Sequence, residues 1–285
     1  MRHLTKPNFN VKTIVEDCAA SIQSAEKRKR FNDSSSYIQS KSDEYDSSAQ
    51  LGEWESVSRE TKVNGMIETK EMVSLYNDKF VKHSPEREQY YDKIMGLAIN
   101  GKCPICSIGQ VSTLDHYLAK TIYPTYAVTP INLVPVCRDC NTIKKDAPIT
   151  ANDEAPLHPY FDHIDDLIWL KASVERRESE FGISYYINPD IEVIDSNLYL
   201  RLNSHFSLYG LSKAYATQAT TEVAENISMW ERKYNEWGKE VLQKHLQECL
   251  ESKELYQRNT WNTALLRAII ENIDIFSSFD NVNDT

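Results

Sequence analysis

Two Cys-x-x-Cys pairs constrain this chain more than any other feature of its sequence. Cys103 and Cys106 form the first pair, and Cys137 and Cys140 form the second. Four thiolates in two such pairs can close a tetrahedral shell around one zinc ion. We therefore expect these cysteines to hold a structural Zn²⁺ ion, with the residues between the pairs folded across it.

The rest of the composition favours metal binding over disulfide formation. The chain of 285 residues is 41% hydrophobic and has no run of about 18 apolar residues that could span a membrane. Its first residues lack the apolar segment of a signal peptide. Because disulfides are rare in the cytosol, the sequence predicts a cytoplasmic protein, without membrane contact, whose paired cysteines bind metal.

The charge distribution predicts a local rather than a general contact with nucleic acid. A formal net charge of −10 argues against coating of phosphates by the whole surface. Residues 101–150 are different, because they carry five basic and three acidic side chains. A small basic site on an acidic body indicates local phosphate contact, or a partner that helps to hold the substrate.

The segment between and after the cysteine pairs carries polar groups that a structural zinc site does not need. Asp115 and His116 follow a strand-like run, and Asn141 follows the last cysteine where a short helix should begin. A carboxylate and an amide oxygen suit a hard divalent cation, and an imidazole can act as a base near neutral pH. Lys144 is close enough in sequence to reach a bound phosphate.

The order Cys-x-x-Cys, Asp-His, Asn-Leu-Val-Pro, Cys-x-x-Cys-Asn, Lys resembles the HNH endonuclease family in its zinc-stabilised four-cysteine form. The resemblance covers roughly Cys103 to Lys145. It implies a ββα-metal finger, in which two strands and a helix surround one catalytic divalent ion. The segments LAKTIYP and INLVPVC also resemble a subgroup found in restriction and anti-phage defence, whose nucleases are often encoded beside an ATPase. A protein partner of that kind is therefore implied.

The resemblance assigns a role to each matching residue. His116 matches the general base that takes a proton from the attacking water, and Asp115 matches a metal ligand. Asn132 matches the middle Asn, which ties the loop between strand and helix and holds His116 in line. Asn141 stands where the family usually has a histidine ligand, so this is an HNN variant. An amide oxygen is an acceptable ligand for Mg²⁺ or Mn²⁺.

Three further residues are candidates for this site. Lys120 and Lys144 could position the phosphate backbone without reading bases. His158 could enter the metal shell as a third ligand and compensate for Asn141. The alternative for His158 is a loop histidine that stabilises a proline-rich turn.

The implied reaction is metal-dependent hydrolysis of a phosphodiester bond in a nucleic acid, with DNA as the expected substrate. It would leave a 5′ phosphate and a 3′ hydroxyl. The alternative is a catalytically inactive zinc-ribbon adaptor that binds nucleic acid or protein. Such an adaptor has no need for Asp115, His116 and Asn132 together, so this set favours the enzyme.

The remaining sequence predicts an α+β, mainly α, protein in which an HNH finger lies between helical flanking regions. We expect an N-terminal helical region over 1–99 with a Ser- and Asp-rich polar linker near 32–55. The nuclease core with its zinc knuckle spans 100–150. A loop and small β region, with short strands that include the segment EVIDS, spans 151–195, and a C-terminal helical region spans 196–285.

Overall fold

The computed structural model describes residues 1–82, 84–177 and 180–277. The chain divides into two compact units, Met1–His163 and Ile164–Thr285. Helices dominate the described residues, and the strands form small two-stranded antiparallel sheets. The α+β, mainly α, fold class is therefore confirmed, while residues 278–285 of the predicted C-terminal region lie outside the described residues.

The first unit begins with two helices that pack against each other, α1 (Val11–Ala20) and α2 (Ala25–Leu51). The side chain of Asn10 caps α1, since its Oδ1 accepts a hydrogen bond from the backbone N–H of Thr13 at 2.9 Å. Ser24 caps α2 in the same way.

Helix α2 corrects the prediction of a polar linker near 32–55. The helix runs through this Ser- and Asp-rich segment and ends at Gly52, whose φ of 72° lies in the left-handed region that glycine adopts easily. Its buried face alternates large and small side chains, including Ile38 and Tyr45 beside Ser34 and Ser35. Packing of this face stabilises the helix despite the low helix propensity of serine.

The elements that follow in the first unit are short. In chain order they are β1 (Lys62–Val63), β2 (Ile67–Glu68), α3 (Thr69–Leu75), α4 (Asp92–Met95), β3 (Thr113–His116), β4 (Leu133–Val136) and α5 (Arg138–Ile143). Between α3 and α4 lie two single turns of π-helix, Tyr76–Phe80 and Arg87–Tyr91. Such turns are rare and frequently occur at functional sites.

Strands β3 and β4 form an antiparallel hairpin that leads directly into α5. Leu114 lies opposite Pro135 in this pair. Because proline has no backbone N–H, this position cannot be a hydrogen-bonded pair, and the N–H and C=O of Leu114 point away from β4. Cys137 is the N-cap of helix α5, and its Sγ accepts from the N–H of Cys140. The second cysteine pair is thus fixed at the start of a helix.

The second unit contains the hairpin of β5 (Leu170–Arg177) and β6 (Glu180–Ile187), as the small β region predicted. Helices then follow in the order α6 (Asp190–Ile194), α7 (Ser196–Leu208), α8 (Leu211–Trp237), α9 (Lys239–Tyr256) and α10 (Trp261–Glu271). The predicted strand at EVIDS is wrong, because most of it lies in α6. Pro189 sits immediately before that helix, where its fixed φ favours a helix start.

Among the described residues, no helix contains an apolar stretch long enough to span a membrane.

Candidate metal centre and adjoining cavity

The four paired cysteines converge on one point in the first unit. All four are buried, and their Sγ atoms lie within 4.8 Å of one another. The Sγ atoms of Cys106 and Cys137 are 3.8 Å apart. A regular tetrahedron with Zn–S bonds of about 2.3 Å has an S···S edge of about 3.8 Å. The cysteines are therefore positioned to bind a metal ion, and their spacing fits structural zinc.

Backbone N–H groups support this cluster. Gly109 donates to the Sγ of Cys106 at 3.4 Å, and Cys140 donates to the Sγ of Cys137 at 3.5 Å. A Cβ atom on Gly109 would lie 2.6 Å from the Cβ of Cys137 and 2.8 Å from its Sγ. Only glycine fits this close approach, so Gly109 is part of the metal site that the cysteine spacing alone does not reveal.

The thiols of this cluster share protons because they are so close. Hydrogen bonding with Cys103 lowers the pKa of Cys137 to about 7. The same partner lowers the pKa of Cys106, while hydrogen bonding with Cys106 raises the pKa of Cys103 and hydrogen bonding with Cys103 raises that of Cys140. A thiol with a lowered pKa readily forms the thiolate, which is the form that ligates zinc.

A cavity of about 280 Å³ lies beside the end of β3. It brings together five of the residues predicted for the active site, namely Asp115, His116, Lys120, Asn141 and Lys144. Asp115 and His116 come from β3, and Asn141 comes from α5. The opposite wall comes from the N-terminal part of the unit, through Tyr76, Asn77, Val81 and Tyr91.

His116 is buried and held in one orientation. Its Nε2 lies 2.9 Å from the carbonyl oxygen of Ala127. A carbonyl can only accept, so Nε2 carries the proton and Nδ1 of the neutral ring keeps a lone pair. Burial lowers the pKa of His116 to about 3, and the positive charges of Lys120 and Lys144 act in the same direction. The ring is therefore neutral throughout the physiological range of pH.

Asn132 is fully buried and fixes the loop that follows β3. Its Oδ1 accepts from the N–H of Leu118 at 2.7 Å, and its Nδ2 donates to the carbonyl of Leu118 at 3.0 Å and to that of Tyr126 at 3.1 Å. Ala127, the residue after Tyr126, supplies the carbonyl that orients His116. The amide of Asn132 thus supports the orientation of His116 through this loop.

Lys144 lines the cavity, but its ammonium is engaged by acceptors of the protein itself. Its Nζ donates to Asp115 Oδ2 at 2.9 Å, to the carbonyl of His116 at 2.5 Å and to that of Tyr117 at 2.9 Å. These bonds use all three hydrogens of the ammonium, and the side chain is only 11% exposed. Lys144 instead connects the end of α5 to the end of β3.

Lys120 remains a candidate for binding an anion in the cavity. Its ammonium lies 4.9 Å from the centre of the Tyr76 ring. Burial lowers the pKa of Lys120, and nearby Asp146 and Asp115 oppose that effect. A cation that is partly desolvated in this way gains more from a bound phosphate than one that is fully hydrated.

His158 lies elsewhere, so the structure contradicts its predicted role as a third metal ligand. It is fully buried and is absent from the residues that line the cavity. Its ring stacks on Trp54 with centroids 5.5 Å apart. Nδ1 accepts from the N–H of Tyr160, and Nε2 is 3.3 Å from the hydroxyl of Tyr45. Both ring nitrogens are therefore engaged in an aromatic cluster.

Comparison with known proteins adds one relative. No family model matches the chain, and no solved structure matches it. Protein ea31 of Escherichia phage lambda is 31% identical over 175 residues. The similarity covers 59% of this chain and 57% of that protein. The chain is thus similar to a phage protein over little more than half the length of each.

Proposed function

We propose that this protein is an HNH-type endonuclease that hydrolyses phosphodiester bonds in DNA. The observation that carries the proposal is the content of one cavity beside the cysteine cluster, to which β3 brings Asp115 and His116 and α5 brings Asn141. Two strands and a helix in this order are what the resemblance to the HNH family implies. A carboxylate, a neutral imidazole and an amide that share a cavity also provide the groups for metal-assisted hydrolysis.

The donor atoms in the cavity fit a hard divalent cation such as Mg²⁺ or Mn²⁺. The bond from Lys144 occupies Oδ2 of Asp115, so Oδ1 of that carboxylate can accept a further ligand. Asn141 adds an amide oxygen on the same cavity. A divalent ion bound by these oxygens would stabilise the charge that develops on the phosphate in the transition state.

His116 and Lys120 would act on the attacking water and on the phosphate. Nδ1 of His116 would accept the proton of the attacking water, because Nε2 is committed to Ala127. A base with a pKa of about 3 is weak. Burial is the main cause of this low pKa, and the positive charges of Lys120 and Lys144 add to it. The negative charge of a substrate phosphate near Lys120 would offset the part that comes from these charges, and so strengthen the base.

The acidic body of the protein supports a nuclease that acts together with a partner. Residues 164–285 contain 20 acidic and 12 basic side chains, whereas residues 1–163 contain 22 acidic and 20 basic ones. The negative charge of residues 164–285 would repel DNA, so a partner would strengthen the binding of substrate. The resemblance to the HNH family implies that this partner is an ATPase encoded nearby, and that the protein is a cytoplasmic effector in anti-phage defence.

A second candidate function is a zinc-stabilised adaptor without catalysis. The observation that favours it is the ion pair between Lys144 and Asp115, which already neutralises the carboxylate that β3 places in the cavity. In that case the cavity would be a structural feature, and its histidine would have no chemical role.

A cleavage assay separates the two candidates. Purified protein is incubated with plasmid DNA, single-stranded DNA and RNA in the presence of Mg²⁺ or Mn²⁺, beside the His116→Ala and His163→Ala variants. His163 is exposed and lies outside the cavity, so it controls for loss of a histidine. We expect cleavage of DNA that falls by about 10²- to 10⁴-fold in His116→Ala alone. Equal cleavage by all three proteins would contradict the assignment of the base.

A further inference from the structure

The outer edge of β3 is held by two tyrosine hydroxyl groups. The N–H of Leu114 donates to the hydroxyl of Tyr91 at 3.3 Å, and the hydroxyl of Tyr76 donates to the carbonyl of Leu114 in a long bond of 3.5 Å. These are the backbone groups that point away from β4 because Leu114 faces Pro135. Each tyrosine therefore replaces a strand partner at the residue directly before Asp115.

Tyr76 also contacts the base itself. Its ring and the ring of His116 pack edge to face, with centroids 4.4 Å apart and planes at 69°. Tyr76 and Tyr91 are each only 5% exposed, and both line the cavity. The ring of Tyr76 thus limits how far the imidazole can rotate away from its bond to Ala127.

Both tyrosines lie in π-helical turns, which are a rare backbone conformation. Tyr76 begins the first π-helical turn and Tyr91 ends the second. A π turn adds a residue to a helical turn and re-aims the side chains around it. These two turns direct one tyrosine each at the same residue of β3, although 15 residues separate the two tyrosines in sequence and Leu114 lies 38 and 23 residues away from them.

We propose that Tyr76 and Tyr91 are positioning residues for Asp115 and His116, so that the N-terminal helical region is an integral part of the active site. This inference rests on the proposed nuclease function. A displacement of about 1 Å in a catalytic group can cost on the order of 100-fold in rate. The tyrosine pair removes the freedom of β3 to make such a displacement on its unpaired edge.

Tyr90 offers a matched control for the hydroxyl of Tyr91. It is the neighbouring residue in the same π turn and is 3% exposed. Its hydroxyl donates to Asp17 at 2.5 Å, on α1 and away from β3. The Tyr91→Phe and Tyr90→Phe variants each lose one buried hydroxyl. The bond that Tyr90 loses is shorter and has a charged acceptor, so it is the stronger of the two.

The test compares these variants in three measurements: the melting temperature, the amide proton shift of Leu114 by NMR, and the rate of His116-dependent DNA cleavage. We expect Tyr90→Phe to lower the melting temperature at least as much as Tyr91→Phe does. Only Tyr91→Phe should shift the Leu114 amide upfield and slow cleavage, by about 10-fold or more. A merely structural role would instead make the loss of activity follow the loss of stability.

A second pair of variants tests the ring of Tyr76. Tyr76→Phe keeps the ring and loses only the long bond, so cleavage should fall less than about 3-fold. Tyr76→Leu removes the edge contact with His116, and cleavage should fall by about 10-fold or more while zinc content stays at one ion per chain. Equal effects of the two substitutions would overturn the role of the ring.

The outcomes also distinguish this inference from the proposed function. If the wild type cleaves DNA in a His116-dependent manner but Tyr91→Phe behaves as Tyr90→Phe does, the inference fails and the nuclease stands. An unchanged Leu114 amide shift in Tyr91→Phe overturns the inference whatever the activity. If the wild type shows no His116-dependent cleavage, the nuclease proposal fails, and the catalytic purpose of the two tyrosines fails with it.

Discussion

The cysteine cluster and the Asp115–His116 cavity share helix α5, which carries Cys140 and Asn141, yet their side chains have different kinds of partner. The four thiols have one another as the closest partners, within 4.8 Å. In the cavity, Asp115 is paired with Lys144, and His116 with Ala127. The cluster is therefore positioned to bind an ion, whereas the cavity is organised by contacts within the protein. We expect the cysteine half of this motif to act as a folding element, and the cavity half to be formed before any ligand binds.

The largest expected effect is on the cysteine side. Cys137→Ser removes one thiolate from a buried shell, and a structural zinc site contributes on the order of 10 kcal/mol to folding. We expect this variant to lose zinc and to unfold, wholly or in the first unit. Metal analysis together with thermal unfolding measures both consequences.

Cys249→Ser is the control for this experiment, because Cys249 is half-buried and lies outside the cluster. It should keep one zinc per chain and melt within a few degrees of the wild type. A Cys137→Ser protein that retains full zinc and its melting temperature would remove the contrast between the two halves of the motif.

The next effect in size belongs to Lys144. Lys144→Met leaves the carboxylate of Asp115, which is 17% exposed, without its ion pair, and deprives two backbone carbonyls of a donor. Loss of one partner from a largely buried pair costs about 3 kcal/mol. We expect that decrease in the free energy of unfolding, measured with denaturant on the zinc-loaded protein without added Mg²⁺ or Mn²⁺.

Lys145→Met removes the same charge from the lining of the same cavity, but Lys145 is exposed. Its effect should stay within about 0.5 kcal/mol. If the two variants were equally stable, the cavity would not be organised by the contacts of Lys144.

The smallest effect depends on pH. Burial lowers the pKa of His116 from its ordinary value of 6.5 to about 3. Between these values the unfolded chain binds a proton that the folded chain does not, so stability falls as the pH drops below 6.5. At pH 5 this amounts to about 2 kcal/mol relative to pH 7. Above pH 6.5 His116 contributes no such dependence.

The His116→Gln variant isolates that contribution, because protonation of the cysteines affects it and the wild type alike. Denaturant unfolding at pH 7 and pH 5 should show a loss for the wild type that exceeds the loss for the variant by about 2 kcal/mol. Equal losses would mean that His116 is hydrated, and that the cavity is less closed than its contacts indicate.

The parts of the site that the sequence predicted are those whose chemistry depends on local spacing. A spacing of two residues between paired cysteines is enough to direct both thiols toward one ion. The cluster could therefore be predicted from the positions of the four cysteines alone. Asp115 and His116 line the same cavity as Asn141 because the strands β3 and β4 and the helix α5 follow one another within the motif.

The parts that could not be predicted depend on distant contacts. Lys144 has the right charge for a phosphate, but its three acceptors are 27 to 29 residues earlier in the chain. Tyr76 and Tyr91 belong to helical patterns that indicate only a buried face. The serines of α2 predict a linker because helix propensity depends on the local sequence. The packing that makes this segment helical depends on residues that are distant in the chain.

The backbone bonds of Arg2 and Leu4 have a consequence for the order of events during synthesis. The N–H of Leu4 donates to the carbonyl of Pro159, and that of Arg2 to the carbonyl of Pro104. Synthesis of the chain between Leu4 and Pro159 takes about 10 to 30 s at ordinary elongation rates, so Leu4 stays without this partner for that time. All four clustered cysteines emerge before Pro159 does. Zinc can thus be captured by a nascent chain whose final closure still lies ahead.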